Sequence, residues 1–94
     1  MHSPAHPGRL LASDLEALGV SSEAAAKAMS VEHAELASII ACERSLTGDM
    51  ALRLEKVVGS IADHWMRMQA AYDVAKARRE APDEIESLSR LHAA

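Results

Sequence analysis

The stretch GVSSEAAAKAMSVEHAELASIIAC, residues 19–42, decides how this chain is read. Gly19 stands where a helix ending at Leu18 needs a left-handed cap, and Ser21 is a good N-cap for the helix that follows. Ala25, Ala26, Ala28 and Met29 give that second helix a small-residue surface, over which neighbouring helices can approach closely. Ser30 and Val31 mark a break. A third helix is predicted over Glu32–Cys42, with Leu36, Ile39 and Ile40 facing inward at i, i+3, i+4. Glu32, His33, Glu35 and Ser38 are left on its other face.

Outward from this centre the same periodicity continues. Leu11, Leu15 and Leu18 form one stripe of a first helix predicted from Gly8 to Leu18. Residues 1–7, with two prolines and small polar residues, read as a flexible N-terminal arm. On the other side, Thr47 can cap a fourth helix reaching Val58. Asp49 in its first turn suits the helix dipole, and Met50, Leu54 and Val57 or Val58 make its stripe. Gly59 ends it, and Ser60 is predicted to cap a long fifth helix reaching about Glu80. In that helix Ile61, Trp65, Met68, Tyr72 and Ala75 recur at spacings of 4, 3, 4 and 3, a seam of heptad type. Met68, Tyr72, Ala75 and Arg79 are its candidate dimer contacts. Ala81-Pro82 breaks the chain, and Pro82-Asp83-Glu84 opens a short helix carrying Ile85, Leu88 and Leu91 within a C-terminal segment, 81–94.

Composition agrees with an all-α domain. Nineteen residues are Ala and ten are Leu, against ten Val, Ile and Thr together, and the first pair heads the helix scale while the β-branched residues favour strands. The 94 residues fit a single domain. Trp65 and Tyr72 are the only aromatics besides histidine, so the core is aliphatic and thin and a partner subunit would add buried area. The net charge of −4 offers no general attraction to nucleic acid or anionic lipid. No apolar run approaches the ~18 residues that cross a bilayer, and no hydrophobic stretch precedes Leu10, so a cytoplasmic location without membrane contact is expected.

Catalysis and metal binding have little to draw on. The lone Cys42 cannot make an intramolecular disulfide or a cysteine-built zinc site. His2, His6, His33, His64 and His92 show no ligand spacing with a supporting carboxylate, so no metal and no cofactor is expected. Asp14/Glu16 and Asp83/Glu84/Glu86 read as surface charge, and no phosphate-cradling glycine loop is present. An enzyme is not expected.

Two short helices joined by a tight turn, the second with an exposed face, make a helix-turn-helix. The wording of the chain resembles the HigA-type antitoxins, a branch of the lambda-repressor-like (XRE) helix-turn-helix family. The resemblance rests on His6-Pro7-Gly8 leading to Leu11 and Leu15, on Gly19-Val20-Ser21 with Ala25, Ala26, Ala28 and Met29, on Leu46-Thr47 through Asp49 to Ala51-Leu52-Arg53-Leu54 and Gly59, and on Trp65 followed by Gln69 and Tyr72-Asp73. Together these cover about residues 6–80.

The resemblance implies a five-helix domain over 8–80 that dimerises, binds an operator palindrome in double-stranded DNA and neutralises a cognate ribosome-dependent RNA-cleaving toxin. It also implies DNA contacts at Ser21, Ser22, Glu32, His33, Ala34, Glu35, Ser38 and Arg44. The sequence departs from the family where that chemistry sits. Residues 20–47 hold Lys27 and Arg44 against Glu23, Glu32, Glu35 and Glu43, a balance of −2. Carboxylates accept from cytosine N4 but repel the phosphate backbone. Ser30 and Cys42 stand where the family usually has glycine, each costing about 1 kcal/mol if φ is positive. Two functions therefore remain open: a DNA-binding antitoxin and autorepressor, or a protein-interaction module of the same fold whose acidic helix no longer binds an operator.

Overall fold

The computed structural model describes residues 4–91. Six helices and no strand occur among them: α1 (Pro7–Leu18), α2 (Ser22–Met29), α3 (His33–Ile40), α4 (Gly48–Val57), α5 (Ala62–Arg79) and α6 (Asp83–Glu86). This is the five-helix helix-turn-helix domain with a short C-terminal helix that the sequence implied. α3 packs against α1 and α2, and α4 against α2 and α5, while α1 also meets α5.

The core forms where the apolar stripes meet. Leu11, Leu36, Ala51, Leu54 and Trp65 are fully buried, with Leu15, Ala25, Ala26, Met29, Ile39, Leu46 and Met50 around them. Trp65 anchors this core and donates its indole N–H to the Gly59 carbonyl at 2.9 Å, so its polar edge is satisfied. Gln69, one turn on, is buried and paired at both ends. It accepts from the Leu46 backbone N–H at 2.7 Å and donates to the Asp73 carboxylate at 2.8 Å, tying the loop before α4 to α5.

Several boundaries differ from expectation. Of the predicted arm 1–7, residues 1–3 lie outside the described residues, but His6 and Pro7 are buried and α1 already begins at Pro7. His6 is its N-cap, accepting from the Gly8 N–H at 2.9 Å, and its ring meets Tyr72 edge-on with centroids 4.9 Å apart. Leu18, expected in the stripe of α1, is 57% exposed because the last turn overhangs the core. Ala28 faces solvent, Val57 is exposed and Val58 packs on the core.

Glu32 is the N-cap of α3 rather than its first residue, and the helix stops at Ile40. Ser60 does not cap α5: it sits in the left-handed region (φ 62°) and Ile61 takes the cap position, 59% exposed and outside the seam. The orphan N–H of Ala62 is satisfied by Glu55, whose carboxylate reaches across from α4 at 2.8 Å. α6 is shorter than predicted, leaving Leu88 and Leu91 beyond it and exposed, because no other helix packs against it.

Candidate nucleic-acid interface

α2 and α3 lie across one another with a three-residue turn, Ser30–Glu32, between them. Leu36 and Ile39 face the core, which turns Glu32, His33 and Ala34 outward at the start of α3 and leaves Glu35 and Ser38 half-buried. The turn is closed by Ser30 in the left-handed conformation, φ 58° and ψ 44°, and by the Val31 N–H donating to Ala26 at 3.0 Å. α3 ends similarly: Cys42 takes φ 64°, its N–H donates to Ile39 and the Glu43 N–H donates to Ser38. Both positions that the family usually fills with glycine thus require a positive φ.

The fold brings the predicted contact residues to one face. Ser22 Oγ and His33 Nε2 are hydrogen-bonded at 2.9 Å, joining the exposed starts of α2 and α3 although they lie eleven residues apart. A shallow open concavity of about 440 Å³ beside this bond is lined by Ser21, Glu23, Ala24, Lys27, Val31 and His33. Ser21 accepts from the Ala24 N–H at 3.1 Å as the cap of α2. Ser38 donates its hydroxyl back to the Ala34 carbonyl at 2.9 Å, which leaves its oxygen as an acceptor. Arg44 extends the face beyond α3 and lies 3.8 Å from the carboxylate of the half-buried Glu35, its own side chain 55% exposed. Its charge is therefore partly answered within the chain.

Of the expected seam residues in α5, Met68 packs on the core, Tyr72 is half-buried against His6, Ala75 is half-buried and Arg79 stands in the exposed last turn. Among the described residues no group of three or more His, Cys, Asp or Glu side chains stands together as a metal site, and His2 and His92 lie outside them. No helix of the described residues is long and apolar enough to cross a membrane. Arg53, which entered the sequence analysis only as part of the Ala51–Leu54 stretch, bridges α4 to the end of α2. Its spacing of four from Asp49 was visible in the chain, but its long-range partner was not.

This arrangement, two short helices crossing at a tight turn with the second held outward by a five-helix core, defines a lambda-repressor-like helix-turn-helix domain. It superposes with a TM-score of 0.88 on an addiction module antidote protein of a HigA family from Coxiella burnetii, 33% identical and aligned over 97% of this chain and 100% of that one. The Pseudomonas aeruginosa antitoxin HigA, solved with the higBA promoter, superposes at 0.87, with 30% identity over 95% of this chain and 99% of the other. Virulence-associated protein A′ of Dichelobacter nodosus is 37% identical over 89 residues, 94% of this chain and 77% of that protein. No protein-family model matches the chain. The chain belongs to the HigA family of antitoxins, a family of regulators rather than enzymes.

Proposed function

We propose that this chain is the DNA-binding antitoxin of a type II toxin–antitoxin pair. As a homodimer it occupies an operator in its own promoter, and by protein–protein binding it neutralises a toxin that cleaves RNA. The observation that carries the operator reading is the Ser22–His33 hydrogen bond, which presents the N-terminus of α2 and the outer face of α3 as one surface. A helix N-terminus receives phosphate, and the face beside it enters the major groove. Support comes from the P. aeruginosa HigA, a relative solved with its promoter.

On this surface Ser21, Ser22 and Arg44 take phosphates, while Glu32, His33, Ala34, Glu35 and Ser38 meet base edges. A two-fold dimer sets its two α3 helices in successive major grooves about 34–36 Å apart. The charge of the face makes binding weak: Lys27 and Arg44 stand against Glu23, Glu32, Glu35 and Glu43, and Arg44 is shared with Glu35. With two or three phosphate anchors per protomer, log affinity against log salt has a slope of about −3 to −5 per dimer.

Fluorescence anisotropy with DNA from the chain's own promoter, at two salt concentrations, tests this. Glu32→Gln with Glu35→Gln strengthens non-specific binding by relieving repulsion and releasing Arg44, and weakens any discrimination made through cytosine N4. The acidic face itself favours a second reading, an interaction module without an operator. Absence of binding at low salt, with no gain in the double Gln variant, would discard the first reading in favour of the second. The toxin limb is tested apart from DNA: the chain should co-purify with the product of a neighbouring reading frame and block its RNA cleavage.

A further inference from the structure

Arg53 lies on α4, away from the face that meets DNA, yet its guanidinium ends at the turn that sets that face. Nη1 donates to the Met29 carbonyl at 2.8 Å and stands 3.5 Å from the Ser30 carbonyl. Nε donates to the Asp49 carboxylate, one turn back on α4, at 2.8 Å. The carbonyls it meets close α2, where the last backbone acceptors have no helical partner and the helix dipole is negative. Ser30 follows at φ 58°, a conformation that a non-glycine residue holds only at a cost. Val31 packs the turn against the core, and Arg53 holds it from the flank, its side chain 39% exposed. A lysine has no fork with which to engage a carboxylate and a carbonyl in fixed geometry at once.

We infer that Arg53 is a positioning residue for the interface: anchored by Asp49, it pins the Ser30–Glu32 turn and thereby fixes the angle at which α3 is presented, without touching DNA itself. The DNA limb of this inference rests on the operator reading given above, whereas the clamp on the turn does not.

The test uses the full chain with Arg53→Met, alone and combined with Ser30→Gly. Amide hydrogen exchange at Ser30 and Val31, whose N–H groups donate to Lys27 and Ala26, should quicken about tenfold, the effect of one lost charge-assisted hydrogen bond. Amides in the Trp65 turn of α5 should keep their rates. Operator affinity should fall about tenfold because fewer molecules hold the binding geometry, with the salt slope unchanged. Glycine at position 30 needs no external support in the left-handed region, so Ser30→Gly should recover most of both losses.

A slope shallower by about 1.8 per dimer would instead make Arg53 a phosphate contact, and unaltered exchange at Ser30 and Val31 would remove the clamp; either result overturns the inference. Should the wild type bind no operator, the operator reading falls and exchange alone decides the clamp. If Arg53→Met does not fold, Asp49→Asn, which keeps the arginine but releases its anchor, should move exchange in the same direction by a smaller factor; no change there would also overturn it.

Discussion

His6, Pro7 and Gly8 make three separate contributions to one corner of the molecule. The histidine ring caps α1 and meets Tyr72, and the proline starts the helix without sacrificing a needed N–H. Gly8 lets α1 approach the end of α3 so closely that a Cβ at this position would stand 1.9 Å from the Ile39 carbonyl oxygen. That neighbour is backbone and cannot turn aside. Gly8→Ala should therefore destabilise by at least about 1–3 kcal/mol, the range for forced overpacking, measured as the shift of the urea midpoint. Ser30 and Cys42 give the opposite sign. Both hold positive φ, 58° and 64°, so Ser30→Gly and Cys42→Gly should each stabilise by about 0.5–1 kcal/mol after the added entropy of the unfolded chain is counted. A lower midpoint in either variant would show that the serine or cysteine side chain contributes more than its backbone costs.

α5 divides into two parts with different duties. Its first half is committed to the core through Trp65 and Gln69, its only buried residues. Its second half carries Val74, 48% exposed, and the half-buried Ala75. We propose that this half is the dimer seam, with Tyr72, Ala75 and Arg79 on its contact stripe; Met68, expected there from the spacing, is instead packed against the core. Tyr72 is a poor place to test it, because replacing Tyr72 also removes the ring that meets His6. Ala75→Glu places a charge on the seam with the core untouched, and light scattering should then report a monomer where the parent chain is a dimer. A parent chain already monomeric at tens of micromolar would end the proposal. α2 and α3, eight residues each, are too short to be stable alone, and their order comes from the packing of Ala25, Ala26, Leu36 and Ile39.

The described chain is elongated, 56 × 25 × 24 Å with a radius of gyration of 16.6 Å, against about 12 Å for a compact domain of this length. The excess reflects an 18-residue α5, about 27 Å long, that outruns a core built on one face of it, and an α6 packed by no other helix. Such a body depends heavily on its few large buried side chains. Trp65 is fully buried, and Trp65→Ala should cost about 3–5 kcal/mol from a total of about 5–8 kcal/mol, lowering Tm by at least about 12 °C. A melting curve that overlays the parent would mean that the contact of α5 with α4 carries little of the fold.

Much of the local architecture was legible in the linear chain, although the His6 cap of α1 and the failure of Ser60 to cap α5 were not. Helix composition, the caps Gly19, Ser21 and Thr47, the inward stripe of α3 and the anchor Trp65 each depend on residues within one or two helical turns, where spacing alone determines which side chains share a face. The grouping of Ser21, Ser22 and His33 on one surface was reached only through resemblance to a family. The remaining features needed the tertiary structure. Glu55 replacing Ser60 at the head of α5, the tight approach at Gly8, the Ser22–His33 bond and the reach of Arg53 to Met29, twenty-four residues away, all depend on how helices cross. Crossing angles are set by the packing of many small side chains together, and no short stretch of sequence encodes that sum.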